Sequence, residues 1–465
     1  MSPLNEKLNR SLAAAGDQPV SLRARWVFPV WGPPLENATV EITAGRISAV
    51  HDLPGPCTVD LGNAAVIPGL VNAHTHLELS DVSAPLQPAL PFTAWLKAVI
   101  AHRRLRETSA GEMTRSPGAL SVLSPAARGW TESAGWGTTT IGDIAGDSAV
   151  AVDLSEPGPA VVSFLELIGL SPEQRNTQLE RARAHLTGTG RTASSGTRES
   201  SSCSNPSEFS RIQLPSGAGP IRGLSPHAPY SVHPDLFRDL IDLAVRHRAP
   251  VAMHLAETRS ELELLSEGTG EFIAFLESLG VWRPDAIPKG SRPLDYLREL
   301  ARVESALAIH GNYFSEEESH FLASHPNISV VYCPRTHAYF NHGPHPWLKL
   351  LERGVNVALG TDSRASNPDL GLWNELLFLR AAFPAMDPAT ILCAGTWNGA
   401  FTLGCETETG SLELGKSADL AVVSLVEGPA GDPHSVLFQA ENQITAAFFG
   451  GRMQTRHSPS AAGNS

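Results

Sequence analysis

Cysteine is scarce in this chain: five among 465 residues, odd in number, scattered, and with no Cys-x-x-Cys pair. That excludes a disulfide framework and suits a reducing compartment. No Lys/Arg-rich run interrupts a net charge of -13. A grip on a phosphate backbone is therefore not expected, whereas a nucleoside-sized ligand stays open. No apolar run approaches the ~18 residues of a membrane span. The N-terminus lacks the apolar core of a signal peptide. The expected setting is soluble and cytoplasmic, with a small-molecule substrate and with neither nucleic acid nor membrane as partner. What is present is ordinary for a globular protein, with 42% hydrophobic and 18% charged residues. The length admits several domains at ~150 residues each, or one barrel.

The informative stretch runs from Ala65 to Ser80, Ala-Val-Ile-Pro-Gly-Leu-Val-Asn-Ala-His-Thr-His-Leu-Glu-Leu-Ser. Its apolar head reads as a strand buried on both faces, and its tail carries His-x-His. Side chains two apart on a strand share a side, so His74 and His76 can aim at one point while Thr75 faces away. That arrangement presents two ligands to one metal ion, although two nearby histidines can also be an accident of a surface.

Around this stretch the chain divides. Residues 1–19 are polar and Ala/Gly-tinged, which predicts a flexible arm. Ser21–Val30, Ala38–Ile42 and Gly45–Val50 read as strands, as do short segments between Ser411 and Val423 and then Ile444–Phe449. Two β-rich ends predict one small composite β domain, residues 20–65 plus 405–455. Between them, from 66 to 404, short apolar runs alternate with helical patterns. The runs are Val66–Val71, Thr138–Ile144, Ala160–Leu167, Ile221–Leu224, Val251–His254, Ala306–His310, Ile328–Tyr332 and Val355–Leu359. Eight such runs predict an α/β fold, a distorted (β/α)8 TIM barrel carrying a small β-sandwich domain formed by both chain ends. The stretch 187–219 is rich in Ser, Thr and Gly with almost no large apolar residue, which predicts a disordered insertion without chemistry.

Reactive residues gather where the runs end, as the C-terminal face of a barrel requires. The ends read His74-Thr-His76, Ser225-Pro-His227, His254-Leu-Ala-Glu257, His310-Gly-Asn312, Cys333-Pro-Arg335-Thr336-His337 and Gly360-Thr-Asp362. Five ends carry histidine and the sixth an aspartate. This set, with Gly415-Lys-Ser-Ala-Asp-Leu420 near the C-terminus, resembles the amidohydrolase superfamily in its metal-dependent deaminase and chlorohydrolase branch. The likeness runs from about Ala24 to Gly451. The wording Asn72-Ala-His-Thr-His-Leu-Glu-Leu-Ser80 is most similar to that of aminodeoxyfutalosine deaminases, which act in menaquinone biosynthesis.

The resemblance implies metal ligands His74, His76, His254 and Asp362, a general acid/base in Glu257, and a catalytic role for His310. Binuclear members carry a carboxylated lysine at the fourth strand end. Here that end offers His227 and no lysine, so one divalent ion is expected, zinc or ferrous iron. Such an ion lowers the pKa of bound water from ~15.7 towards ~7. Asp362 would take the water proton. Glu257 would protonate the ring nitrogen beside the attacked carbon and help ammonia leave. His310 would orient the attacking hydroxide or polarise its target. His227 would touch the ring or ribose of an adenine-type nucleoside. Glu78 would contact substrate or only brace His76. Arg335 and His337, with Thr336, would line the pocket or merely shape a loop. A homodimer is usual for such barrels by resemblance.

Simpler readings stand beside these. Asp362 could cap the helix that follows, and His227 could belong to a rigid turn between Pro226 and Pro229. His102, His185, His247, His320 and His325 fall on or beside helices and are expected at the surface. Asn341–Pro346 is expected to cap the helix near Trp347, and Trp95 is expected in the core. The same fold could also serve another C–N or C–Cl hydrolase, of S-adenosylhomocysteine, guanine, cytosine or chlorotriazine type. A third possibility is a barrel scaffold without catalysis.

Overall fold

In the computed structural model the described residues are 18–52, 57–113, 124–146, 157–188, 221–427 and 431–455, with Leu8. The expected arm and the expected insertion lie outside them, apart from Leu8, Gln18, Pro19, Thr187 and Gly188.

Both ends of the chain build one sheet. Its strands are β1 (Val20–Val27), β2 (Leu35–Thr43), β3 (Arg46–His51), β4 (Val59–Asp60) and β5 (Ala64–Pro68). After the barrel come β14 (Leu420–Ser424), β15 (Gln443–Phe449) and β16 (Arg452–Thr455). The order is β16-β15-β14-β5-β1-β2-β3, with β4 beside β1. Inward residues such as Leu22, Val40, Ile47, Val66, Leu420 and Phe448 form a core of its own. Of the segment 411–423, only its end joins a strand; Ser411–Gly415 instead hydrogen-bonds across to Pro29 and Ile47.

The second sheet holds the middle of the chain: β6 (Leu70–Thr75), β7 (Thr138–Ala145), β8 (Ala160–Leu167), β9 (Ile221–Pro226), β10 (Val251–Leu255), β11 (Ala306–His310), β12 (Ile328–Tyr332) and β13 (Val357–Leu359). They pair in sequence order, all parallel. A parallel bridge from Thr75 to Asp362 brings the last strand end against the first, and His74 O accepts from the amides of Thr361 and Asp362. The barrel's seam thus runs through the residues of interest.

One expected strand is divided. Val66–Val71 is shared between the two sheets, with Val66–Pro68 in β5 and Leu70–Val71 in β6. Gly69 makes the step. Its amide donates to Asp419 O at 2.8 Å, and a Cβ there would lie 2.1 Å from Thr139 Oγ1. Only a residue without a side chain lets the two sheets approach so closely.

Strand alternation sorts the core into two layers. Val162, Phe164, Ala252, Leu307, Ile309, Val331 and Ala358 fill the barrel. Leu165, Leu167, Met253, Leu255, Ala306, Ala308 and Val330 face the surrounding helices. The helix Trp397–Leu403 packs at the strand starts, where Asn398 Nδ2 donates to Val357 O and Ala400 and Leu403 join the inner layer. The helix Pro234–His247 is typical of the outer ring. His233 caps it by accepting the Asp235 amide at 3.1 Å, proline opens it, and Leu236, Phe237, Leu240, Ile241, Leu243 and Ala244 form its buried stripe.

Candidate active site

The C-terminal ends of the barrel strands meet in one cavity. His76, His227, His254, Glu257, His310 and Asp362 lie at its polar floor. Over it lies the helix Phe92–Met113, which presents Phe92, Trp95, Leu96, Val99, Ile100 and Arg103 at the spacing of one helical face. Trp95 is buried as a core residue would be, yet it also lines the cavity, with its Nε1 donating to Ala365 O at 3.0 Å.

The floor packs imidazoles and a carboxylate around one point. Ligand atoms of His74, His76 and Asp362 lie within 4.8 Å of one another, as do those of His74, His254 and His310. Asp362 Oδ1 stands 3.6 Å from His74 Nε2 and 3.7 Å from His76 Nε2, and Ser366 Oγ donates to its Oδ2 at 2.6 Å. His76 Nε2 and His254 Nε2 are 3.3 Å apart. His254 Nδ1 lies 3.0 Å from His227 O, a carbonyl that can only accept, so its Nε2 keeps a lone pair aimed at the cluster. Both nitrogens of His74 and the Nδ1 of His76 are buried without any hydrogen-bond partner. Buried imidazole nitrogens left unpaired are costly, and lone pairs converging on one point suit a divalent cation. Burial, the largest cause, pushes the His254 imidazole down to about 3 and those of His76 and His310 well below their ordinary value. Neutral imidazole is the form that binds a metal.

Glu257 sits beside this cluster at 5% exposure, its Oε1 3.4 Å from His310 Nε2. Burial, then the nearby Asp362 and Glu261 carboxylates, raise its carboxyl well above the usual range. Its position is fixed from behind. Glu261 accepts the amides of Ala256 and Glu257, each at 2.9 Å, and Asn312 Nδ2 donates to Glu257 O at 2.9 Å. Glu261 was not singled out in the sequence, although Thr258-x-x-Glu261 has the spacing of a helix cap. Three strand ends here hold non-glycine residues at positive φ: Ala256 (52°), His310 (69°) and Asp362 (53°). Alternation along β11 would send His310 outward with Ala306 and Ala308; its left-handed backbone accompanies its place in the cavity. Such residues cost about 1–3 kcal/mol each and persist where surrounding contacts hold them. His345 supplies one, its Nε2 donating to His310 O at 2.8 Å while its Nδ1 accepts the Trp347 amide. The capping expected of the 341–346 loop is thus present, joined to a brace for the site.

His227 lies in the cavity, its imidazole pushed down to about 3 by burial. Three other expected contacts are placed elsewhere. Arg335 is held by Glu375 (2.7 Å) and Asp369 (2.7 Å), so its guanidinium is committed beneath the barrel rim and does not line the cavity. His337 lies against Tyr332, His342 and His345, away from the lining. Glu78 turns to Arg103 at 2.6 Å and Arg106. His185, expected at the surface, is buried against Ser163 O. Conversely, Arg103 and Glu166 line the cavity without having been anticipated.

A profile of the Amidohydrolase family matches residues 65–453. The chain belongs to the amidohydrolase family. As a member it is a metal-dependent hydrolase, and the histidine cluster is its candidate metal centre. Among curated relatives of this amidohydrolase is a 5-methylthioadenosine/S-adenosylhomocysteine deaminase of Syntrophobacter fumaroxidans, 29% identical over 418 residues, covering 84% of this chain and 81% of the relative. An aminodeoxyfutalosine deaminase of Nitratiruptor is 28% identical over 382 residues, covering 79% and 80%. In fold, the amidohydrolase resembles a zinc-bound adenosine deaminase of Xanthomonas campestris, with a TM-score of 0.68, 24% identity and coverage of 94% and 93%. No described helix is long and apolar enough to cross a membrane.

Proposed function

We propose that this amidohydrolase deaminates an adenine-type nucleoside by hydrolysis, with His74, His76, His254 and Asp362 holding one divalent ion, zinc in preference to ferrous iron. The observation that carries the reading is the convergence of four buried ligand groups with a buried Glu257, its carboxyl pushed above the usual range by burial, at the floor of one cavity. A bound divalent ion would supply Lewis acidity and make water acidic enough to act near neutral pH. Asp362 Oδ1 accepts the proton lost as water adds to the amino-bearing ring carbon. Glu257 gives its proton to the adjacent ring nitrogen. The proton gathered at Asp362 then passes to the amino group, the bond from ring carbon to nitrogen breaks as ammonia leaves, and the hydroxyl proton returns to Glu257 as the ring carbonyl forms. His310 Nε2, 3.4 Å from Glu257, orients the attacking oxygen, and His227 faces the ring or sugar.

The names of the curated relatives support methylthioadenosine, S-adenosylhomocysteine and aminodeoxyfutalosine as first substrates to try. Turnover of the last would place the enzyme in menaquinone biosynthesis. The test is ammonia release by zinc-loaded protein from these nucleosides and from adenosine, with chloride release from chlorotriazines in parallel. Ammonia from at least one aminopurine nucleoside, with no chloride, is the expected result. Chloride without ammonia would move the reading to C–Cl hydrolysis.

A further inference from the structure

The floor of the cavity is used by the chemistry just described; its side wall is not. There Glu166, near the end of β8 and only 5% exposed, leaves Oε1 buried with no hydrogen-bond partner. His227 Nε2 lies 3.8 Å from that oxygen. Ser231 Oγ donates to Ala228 O and so receives the proton of His227 Nδ1 at 2.7 Å, which leaves His227 Nε2 a lone pair. Two acceptors thus stand side by side, His227 at the floor and Glu166 on the wall, with no donor between them. A buried acceptor without a donor is costly, so a ligand that brings one is favoured.

The other oxygen of Glu166 meets the guanidinium of Arg103 at 3.3 Å, and Glu78 holds the same guanidinium at 2.6 Å. Arg103 is the only lysine or arginine lining the cavity among the described residues, and it is already shared by two carboxylates. The rest of the lining is mostly apolar, with Leu79, Val99, Ile168 and Leu170 among it, and includes the uncharged polar side chains of Gln174 and Ser231. Nothing there offers a free cation to an acidic substrate group.

We propose that Glu166 determines specificity in this cavity: its free oxygen accepts a hydrogen bond from a sugar hydroxyl, and its hold on Arg103 turns away substrates that carry a carboxylate. The assignment deepens the deaminase reading and rests on it. A substrate of this class is a nucleoside with a free sugar hydroxyl and an uncharged, largely apolar arm, so of the nucleosides named above the assignment favours methylthioadenosine over S-adenosylhomocysteine and aminodeoxyfutalosine, which carry carboxylates.

The test measures binding by calorimetry and ammonia release with zinc-loaded protein. The probes are adenosine, deoxyadenosines lacking one sugar hydroxyl each, and the adenosine derivative whose primary alcohol is oxidised to a carboxylate. In the unaltered enzyme, loss of one particular hydroxyl is expected to weaken binding and kcat/KM about 10- to 100-fold, the range for a hydrogen bond to a charged acceptor. Glu166→Gln is expected to shrink that discrimination at least about threefold and to raise the carboxylate derivative relative to adenosine. Indifference of the unaltered enzyme to every hydroxyl overturns the assignment without recourse to a variant, as does unchanged discrimination in Glu166→Gln. Nucleosides that bind with this discrimination but release no ammonia would sink the deaminase reading and leave Glu166 as the recognition residue. Absence of any binding overturns both.

Discussion

Replacing Glu257 by glutamine is expected to lower kcat by ~10²–10⁴ while KM and metal content stay within about threefold. The substitution keeps the shape of the side chain and a polar group facing His310 Nε2, which stands 3.4 Å from Glu257 Oε1. The backbone at 257 is held by Glu261 and Asn312 whatever the side chain carries. Only the transferable proton is lost. A group that moves a proton in the transition state, rather than gripping the ground state, shows its loss in kcat and kcat/KM alike. Steady-state ammonia release, beside a thermal melt to confirm folding, reads this directly. Turnover within threefold of the unaltered enzyme would remove Glu257 from the chemistry.

Arg335→Met is expected to cost stability, about 3–5 kcal/mol, while leaving KM for the nucleoside unchanged. The guanidinium binds Glu375, which is fully buried, and Asp369 at the rim. Removing one member of a buried pair strands the other, and that penalty is larger than the net worth of the pair. Glu375 keeps the Arg335 amide and Asn367 Nδ2 as donors, which tempers the loss. Burial, the largest influence, already raises the Glu375 carboxyl, so the stranded group can shed its charge by taking a proton. The double change Arg335→Met with Glu375→Gln should therefore recover much of the deficit. Urea midpoints check both. A stable single variant with a KM raised tenfold would return Arg335 to the substrate pocket.

How far the sequence reached differs from element to element. The strand ends were legible because parallel strands buried on both faces stand out as apolar runs, and because histidines at their ends have few reasons to be there by chance. Val66–Val71 misled because an apolar run reports burial, not which of two sheets does the burying; the glycine between them carried the missing information. Arg335 follows a strand end in sequence, but where its side chain turns depends on partners 34 or more residues away, Asp369 and Glu375; His337 is instead drawn into the aromatic packing of Tyr332, His342 and His345. Glu166 had a signal: a lone acid inside the apolar run Val161–Leu167. Its meaning needed Arg103 and His227, which only the closed barrel brings beside it. His185 fell to the assumption that a histidine on a polar helix faces solvent, whereas the helix's apolar side takes it inward with Leu179, Ala182 and Leu186.

The measurement closest to the centre of this account is metal content by elemental analysis of purified protein, reloaded with zinc after chelation and freed of excess. The account predicts about one ion per chain with activity restored, and content near zero in His254→Ala and Asp362→Ala variants that still fold. Folded, active protein without stoichiometric metal, or variants that keep the ion undiminished, would contradict it.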